Sequence, residues 1–261
     1  LIVVAAGDDI SLPERTVKLW TAWHNSDRTV KMVASGCIDI NSHGEHIGQW
    51  LPPEEGYQRD RSFSMILDPN GHLRGAMAMY HRDVIEIFGP LTLAQVEDGP
   101  LAIRSQLLGP GLAIADKLVK KRVTAQNISG VGSPDYKANA QSSHVWKIST
   151  YDQLLLDLTA ENFRKLGTID NFSSLIEQCK KHRLKHKDHL ELINNKSLAV
   201  RFSIWLKLSL IYPLPTTINN LVYLLPQALY PKWMKYGLPT DSVLWRKLVH
   251  VKRVLLVRNK R

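Results

Sequence analysis

Residues 61–80 carry the strongest local signal in the chain: Arg61-Ser-Phe-Ser-Met-Ile-Leu67, then Asp68-Pro69-Asn70-Gly71, then His72-Leu-Arg-Gly-Ala-Met-Ala-Met-Tyr80. Two runs rich in apolar residues flank a four-residue turn. Proline presets the first central φ angle of such a turn, and Asn and Gly tolerate the positive φ that follows. We therefore predict a β-hairpin, with residues 84–88 as the next strand of an antiparallel meander.

The residues on either side of this hairpin favour strands first and helices later. Upstream, residues 1–6, 16–23 and 29–40 have the apolar, β-branched composition of strands, and the polar residues 41–60 are predicted as a long loop. Downstream, residues 94–108 and 112–121 have helical spacing, and residues 122–128 resemble a further strand. Strands combined with covering helices indicate an α/β or α+β fold.

The second half of the chain favours helices. A helix is predicted from Thr150 to a stop at Gly167, another follows Asp170, and residues 186–193, 197–212, 217–230 and 241–257 complete the set. We therefore divide the chain into a strand-rich mixed domain, residues 1–149, and a helical basic domain, residues 150–261.

Positive charge is concentrated in that second half. Residues 150–261 contain 19 Lys and Arg against 8 Asp and Glu, whereas residues 1–149 contain 15 against 16. A basic half of this kind favours a polyanionic partner, either nucleic acid or an anionic lipid surface. We expect it to bind RNA, an RNA–DNA hybrid or a ribonucleoprotein, because lysine and arginine contacts to phosphates release condensed counterions.

Two clusters supply the candidate nucleic-acid-binding residues. One lies at residues 180–187 and the other near the end of the chain, where Trp233, Tyr236 and Trp245 could stack on bases. The alternative is an ordinary solvated helix face. The candidates are Lys180, Lys181, Arg183, Lys185, Lys187, Arg246, Lys247, Lys252, Arg253 and Arg258.

Histidines follow the first cluster at helical spacing. His182, His186 and His189 are four and three residues apart, so a helix would place them on one side, as some zinc sites do. The flanking lysines repel a dication, and neither Cys nor a carboxylate cluster completes the set nearby. We therefore expect a solvated helix rather than a metal site.

Carboxylates of the first half are candidates for phosphodiester hydrolysis. Two-metal hydrolysis needs Asp and Glu side chains from several elements, because Mg²⁺ prefers hard oxygen ligands. Asp39 ends an apolar run, Glu97 would open a helix, and Asp135 follows the last predicted strand. Asp8 and Asp9 end the first strand and compete with Asp39 for this role.

Residues 30–140 resemble a ribonuclease H-like domain of the type associated with reverse transcriptases. The resemblance rests on residues 65–78 with their Asp-Pro-Asn-Gly turn, and on Leu93-Ala-Gln-Val-Glu97, Leu101-Ala-Ile-Arg104 and Leu112-Ala-Ile-Ala115. It implies Mg²⁺-dependent cleavage of RNA or of an RNA–DNA hybrid, with Asp39 and Glu97 as metal ligands. The strand at residues 123–128 lacks the acidic residue that the family places at its end, and Asp135 comes late. Whether the chain is an enzyme therefore stays open.

Two alternatives belong to other functional classes. Gln106-Leu-Leu-Gly-Pro-Gly111 resembles the pyrophosphate loop of GNAT acyltransferases, in which backbone N–H groups before a helix bind the anion of CoA. The second alternative is a non-enzymatic subunit of a ribonucleoprotein assembly, for which the basic half would be sufficient.

Several features of the sequence bear on the cellular location of the protein rather than on its function. No stretch reaches 18 consecutive apolar residues, so we predict no membrane span. Cys37 and Cys179 lie far apart in the sequence, which argues against a disulfide framework and favours a reducing compartment such as cytoplasm, nucleus or organelle matrix. The chain begins at Leu1 without an initiator Met, so we expect a fragment or a processed form.

Overall fold

Strand β3 is the centre of a six-stranded sheet in a computed structural model of the chain, which describes residues 1–52, 75–124, 136–166 and 172–211. The strands are β1 (Ile2–Val3), β2 (Ile10–Ser11), β3 (Met32–Ile40), β4 (His46–Trp50), β5 (Ala78–Tyr80) and β6 (Gly111–Arg122). The helices are α1 (Arg15–Asn25), α2 (Asp83–Glu86), α3 (Asp98–Leu108), α4 (Tyr136–Asp157), α5 (Glu161–Arg164), α6 (Phe172–Asn194) and α7 (Leu198–Ile211). The fold is therefore mixed α/β, as the sequence predicts.

The strand order is β1-β5-β3-β6-β2, and β4 pairs with the end of β3. Strands β3 and β6 are parallel, whereas the other pairs are antiparallel. Because a parallel neighbour requires a crossover, the chain passes through α3 between β3 and β6. Strand β3 is buried over most of its length, which explains its nearly continuous run of apolar and small residues.

Both faces of the sheet are covered by other elements. Successive side chains of β3 point to opposite faces, so neighbouring residues belong to different apolar clusters. Met32 and Ala34 pack with Tyr80 and with Leu101 and Ala102 of α3. Val33 lies in a different cluster, which contains Leu19 of α1, Val30, Met79 and Leu118. Helices α3 and α1 thus belong to opposite layers.

Helix α3 is also the core of a helical layer. Its Ile103 and Leu107 pack against Tyr151 and Leu154 of α4, and the same cluster contains Phe163 and Cys179. A buried ion pair joins the two helices, since Arg104 donates two hydrogen bonds of 2.7 Å to Asp157. Helix α3 is therefore buried on several sides.

The chain forms two compact units. The first contains Leu1–Ser133 and Val145–Leu184, and the second contains Pro134–His144 and Lys185–Arg261. In the described part of the second unit, Leu192 and Ile193 of α6 pack with Leu208 of α7 and with Ala140 of α4. The predicted division after residue 149 lies within α4, and it stays a prediction.

The prediction of a strand at residues 16–23 is wrong, because these residues form α1. The alternation of Val17 and Leu19 suggested a strand, yet Val17 is 59 % exposed and Leu19 is fully buried. The inward-facing residues are Arg15 and Leu19, four positions apart, as helix geometry requires.

Three further predicted elements are wrong. Residues 112–121 belong to β6 rather than to a helix, because they pair with β3 and β2 from distant parts of the chain. Residues 84–88 overlap the short helix α2 rather than a strand. The predicted loop at 41–60 contains β4, since Asn41 and Gly44 form a tight turn after β3, in which Gly44 has a φ of +86°.

The predicted hairpin is described only at its end. Residues 75–77 form a turn of 3-10 helix and Ala78–Tyr80 form β5, which pairs with β3. Its first strand and its turn lie outside the described residues, as do the predicted helices at 217–230 and 241–257. Where the chain is described, none of its helices combines the length and the apolar character that crossing a membrane would require.

Candidate functional site

The predicted carboxylates occupy separate places in the first unit. Asp39 is partly exposed near the end of β3, where its neighbours in register are Gly48 of β4 and Lys121 of β6. Glu97 is exposed and directly precedes α3. Asp135 lies outside the described residues. Within the described ranges, no group of three or more His, Cys, Asp or Glu side chains is arranged to hold a metal ion.

The segment that leads to Glu97 is held by polar side chains of α4. Gln153 Oε1 accepts hydrogen bonds of 2.9 Å from the backbone N–H groups of Thr92 and Leu93. Ser149 Oγ accepts another, of 3.2 Å, from Gln95. These bonds attach a segment without regular structure, which precedes α3, to α4.

Asp98, the first residue of α3, is a site residue that the sequence analysis missed. Its carboxylate accepts a hydrogen bond from the backbone of Gly75. A Cβ atom at Gly75 would lie 1.8 Å from Asp98 Oδ1, so this approach requires glycine at position 75. Burial, followed by repulsion from Glu97, raises the pKa of Asp98 to about 6, although Lys121 and the Gly75 hydrogen bond act in the opposite direction.

Tyr80 lies beside this pair of carboxylates. Its side chain is 2 % exposed, and its hydroxyl has no hydrogen-bond partner among the residues that the structure describes. Burial raises the pKa of Tyr80, and the negative charges of Asp98 and Glu97 add to that effect. A buried carboxyl group that titrates near pH 6 can accept or release a proton in a reaction, so Asp98 is a candidate acid–base group of the first unit.

Replacing Asp98 with asparagine should stabilise the protein at pH 7. The folded chain keeps the Asp98 proton up to about pH 6, whereas the unfolded chain releases it near pH 3.8, so stability falls as pH rises between these values. Asparagine keeps an acceptor for the Gly75 N–H and carries no charge. We expect a gain of about 2–3 kcal/mol at pH 7 and a flatter pH profile between 4 and 6, as measured by urea unfolding. A variant with unchanged stability at pH 7 would contradict the raised pKa.

The basic run at residues 180–187 lies on α6, and its side chains differ in how far they are exposed to solvent. Lys180, Lys181 and Lys187 are exposed, and none of them forms an ion pair with another residue that the structure describes. Arg183 instead donates a hydrogen bond from Nε to Asp152 of α4. Lys185 is half-buried. The other candidates, Arg246, Lys247, Lys252, Arg253 and Arg258, lie outside the described residues.

The histidines that the sequence grouped together have different surroundings. His182 packs beside Tyr151 in the first unit. His186 and His189 are buried in the second unit, where they lie next to His144 of α4. His144 was missed because it is 42 residues away from His186 in the chain.

The predicted acyltransferase loop lacks the helix on which the prediction rested. Gln106 is buried within α3, and Gly111 begins strand β6. The backbone N–H groups after the glycines therefore enter a sheet, where they do not form the anion-binding start of a helix. That resemblance does not extend to the structure.

Two groups of side chains are thus the best functional candidates in the described residues. One is the pair Glu97 and Asp98 with the buried hydroxyl of Tyr80, and the other is the set of exposed lysines on α6. In comparisons with known proteins, no protein-family model matches this chain and no curated protein matches it.

Proposed function

We propose that the chain binds RNA, or a duplex that contains RNA, through its basic half. The charge of that half supports the proposal, with 19 Lys and Arg against 8 Asp and Glu in residues 150–261. A surplus of this size attracts a polyanion over a range set by the Debye length, about 8–10 Å at physiological salt.

The exposed lysines of α6 are the observation that carries the proposal. The basic run could have been neutralised by acids of the same molecule, and Arg183 is neutralised in this way by Asp152. Lys180, Lys181 and Lys187 have no such partner among the described residues. Three solvated ammonium groups on one helix can each contact a phosphate without first breaking an ion pair to any residue that the structure describes.

The same helix limits how strong the contact can be. Glu177 and Glu191 are also exposed on α6 and reduce its net charge. About three phosphate contacts from α6 would give a slope of log K against log salt of about −2 to −3, to which any contacts from other parts of the basic half would add. We therefore expect binding with little sequence preference and a marked dependence on salt.

Replacing both Lys180 and Lys181 with glutamine should weaken RNA binding about tenfold or more at low salt, and should reduce the salt slope by about 1.5–2. The measurement is fluorescence anisotropy of a labelled single-stranded RNA and of an RNA–DNA hybrid, titrated at four salt concentrations. The loss should be similar for unrelated RNA sequences, because phosphate contacts carry no sequence information.

The matched control is the double variant Lys165→Gln, Lys207→Gln, which removes the same charge. Both lysines are exposed, but each forms an ion pair, with Glu161 and Asp188 respectively. We expect a smaller loss of affinity from this variant. Equal losses in the two double variants would show that net charge matters and that the α6 lysines do not form an interface. No binding by the unsubstituted chain would refute the proposal.

We propose phosphodiester hydrolysis by the first unit as a second function. It is favoured by Asp98, whose pKa of about 6 suits acid–base chemistry, beside the predicted residue Glu97. Lys121 lies opposite Asp39 in the sheet and also lowers the pKa of Asp98, so it is close to both carboxylate positions. Because the described side chains assemble no metal group, no metal-dependent step follows from the geometry.

If the first unit is a nuclease, Asp39→Asn and Glu97→Gln should each reduce cleavage about a hundredfold or more. The assay follows an end-labelled RNA–DNA hybrid and a single-stranded RNA, with Mg²⁺ and with a chelator. Glu161→Gln, at an exposed position of α5, should leave the rate unchanged. RNA binding without cleavage in the unsubstituted protein would leave the non-enzymatic ribonucleoprotein subunit as the function.

A further inference from the structure

Three imidazoles meet inside the second unit. His144 comes from α4, and His186 and His189 come from the part of α6 that belongs to the same unit. Their ring centres are 5.0 Å, 5.3 Å and 6.3 Å apart. His186 is 7 % exposed and His189 is 3 % exposed, so these groups are shielded from water and do not lie on a solvated helix face.

The closest contact is between two ring nitrogens. His144 Nδ1 and His186 Nδ1 are 3.0 Å apart. Only one of these nitrogens can carry a proton if they are hydrogen-bonded, so the other presents its lone pair. Two nitrogens that bind one tetrahedral metal ion at about 2.1 Å are about 3.4 Å apart, so the observed pair is a few tenths of an ångström closer than that spacing.

His189 is oriented by the backbone. Its Nδ1 lies 2.6 Å from the carbonyl oxygen of Lys185, and because a carbonyl can only accept, Nδ1 carries the proton. The lone pair of neutral His189 is therefore on Nε2. Metal-binding histidines usually have this arrangement, in which one nitrogen donates to a carbonyl and the other binds the ion.

The surroundings of the three rings are mixed in character. The apolar cluster of Leu192, Ile193 and Leu208 lies in the same unit. Lys185 and Lys187 add positive charge on α6, whereas the carboxylate of Asp188 is 2.7 Å from Lys207. The neighbouring lysines should weaken the binding of a dication without preventing it.

We propose that His144, His186 and His189 form a binding site for a divalent transition-metal ion, of which Zn²⁺ is the one best suited to imidazole ligands. The ion takes the place of the proton between His144 and His186, and the imidazole that donated that proton changes to its Nε2–H tautomer. In the described residues the three rings do not yet surround one point, so binding requires a shift of the His189 ring that brings Nε2 toward the other two nitrogens while Nδ1 keeps its bond to Lys185. Imidazoles that bind one tetrahedral ion have ring centres about 5 Å apart, and the observed separations of the three rings are close to that value.

The test is a titration of the full chain, without an affinity tag, with Co²⁺ as the spectroscopic probe and Zn²⁺ as the competitor. We expect an intense visible absorption band from tetrahedral Co²⁺ at one equivalent, which Zn²⁺ abolishes. His144→Gln and His186→Gln should each reduce the Zn²⁺ affinity at least tenfold. His43→Gln, in the exposed turn between β3 and β4, is the matched control and should have no effect.

A second measurement separates loss of the site from loss of folding. Nitrogen-15 resonances of the imidazoles in the unsubstituted protein should shift on addition of Zn²⁺ at three histidines, and thermal melting should move to a higher temperature with added Zn²⁺. Absence of the Co²⁺ band, or a band that persists in both His144→Gln and His186→Gln, would overturn the proposal. The proposed RNA binding by the basic half and the proposed cleavage by the first unit are separate properties. If either proposal fails, the result of the metal titration is unaffected.

Discussion

Replacing Arg104 with methionine should lower the free energy of unfolding by about 3–5 kcal/mol. Arg104 and Asp157 are almost completely buried, and two hydrogen bonds of 2.7 Å join them. Gln153 donates a further bond to Asp157, and Arg104 donates one to the carbonyl of Gly89. Methionine fills much of the same volume but leaves the Asp157 carboxylate in a nonpolar interior without its counter-charge, and that uncompensated charge accounts for most of the loss.

Urea unfolding at pH 7 measures the effect through the shift in midpoint. The double variant Arg104→Met, Asp157→Leu should be more stable than Arg104→Met alone, because it removes both charges and buries apolar groups instead. Arg82→Met is the matched control, since the exposed Arg82–Glu86 pair should contribute about 0.5 kcal/mol or less. A loss below about 1 kcal/mol for Arg104→Met would show that the pair is hydrated in solution.

Replacing Arg15 with methionine should cost about 3 kcal/mol. Arg15 begins α1 and is 2 % exposed, and burial lowers the pKa of its guanidinium. Its Nη2 donates to the carbonyls of Val4 and Ala76 at 2.6 Å and 2.7 Å, and its Nη1 donates to Ser11 Oγ at 2.8 Å. These three acceptors belong to separate segments, so one side chain connects the first residues, β2 and the turn before β5.

The same unfolding assay, with proteolysis of the first residues as a second measurement, checks this role. Arg15→Met should make the peptide bonds near Val4 more sensitive to a protease, because β1 loses one of its attachments. Lys18→Met on the same helix is the control, since Lys18 is exposed and its ion pair with Asp116 lies at the surface, where we expect a much smaller change. Equal effects of the two substitutions would refute a special role of Arg15.

The sequence predicts those elements in which local pattern and tertiary position agree. Strand β3 combines an apolar run with a place at the centre of the sheet, and α3, α6 and α7 have helical spacing together with an apolar face. Strand β6 has helical spacing as well, but its partners β3 and β2 come from distant parts of the chain and impose a strand. Long-range pairing of that kind cannot be recognised from the residue pattern of a short stretch of sequence.

The candidate sites show the same limit. Glu97 was selected for its place before a helix, yet its neighbour Asp98 is the carboxyl group whose pKa is raised, because Asp98 is buried and lies beside the negative charge of Glu97. The histidine spacing on α6 was recognised, but His144 reaches His186 through the packing of two helices. Burial and proximity of this type depend on the folded chain, which is why the sequence could identify residue types but not complete sites.

The central place of β3 has a consequence for biosynthesis. Its residue Met32 pairs with Gly111, 79 positions later, and β1 pairs with β5 across a similar distance. A ribosome therefore releases β3 long before β6, its parallel neighbour, has been synthesised. During that interval one edge of this apolar strand has unpaired backbone N–H and C=O groups. Contacts this distant in sequence slow folding and expose nascent chains to aggregation, so we expect chaperones to raise the yield of native protein during translation.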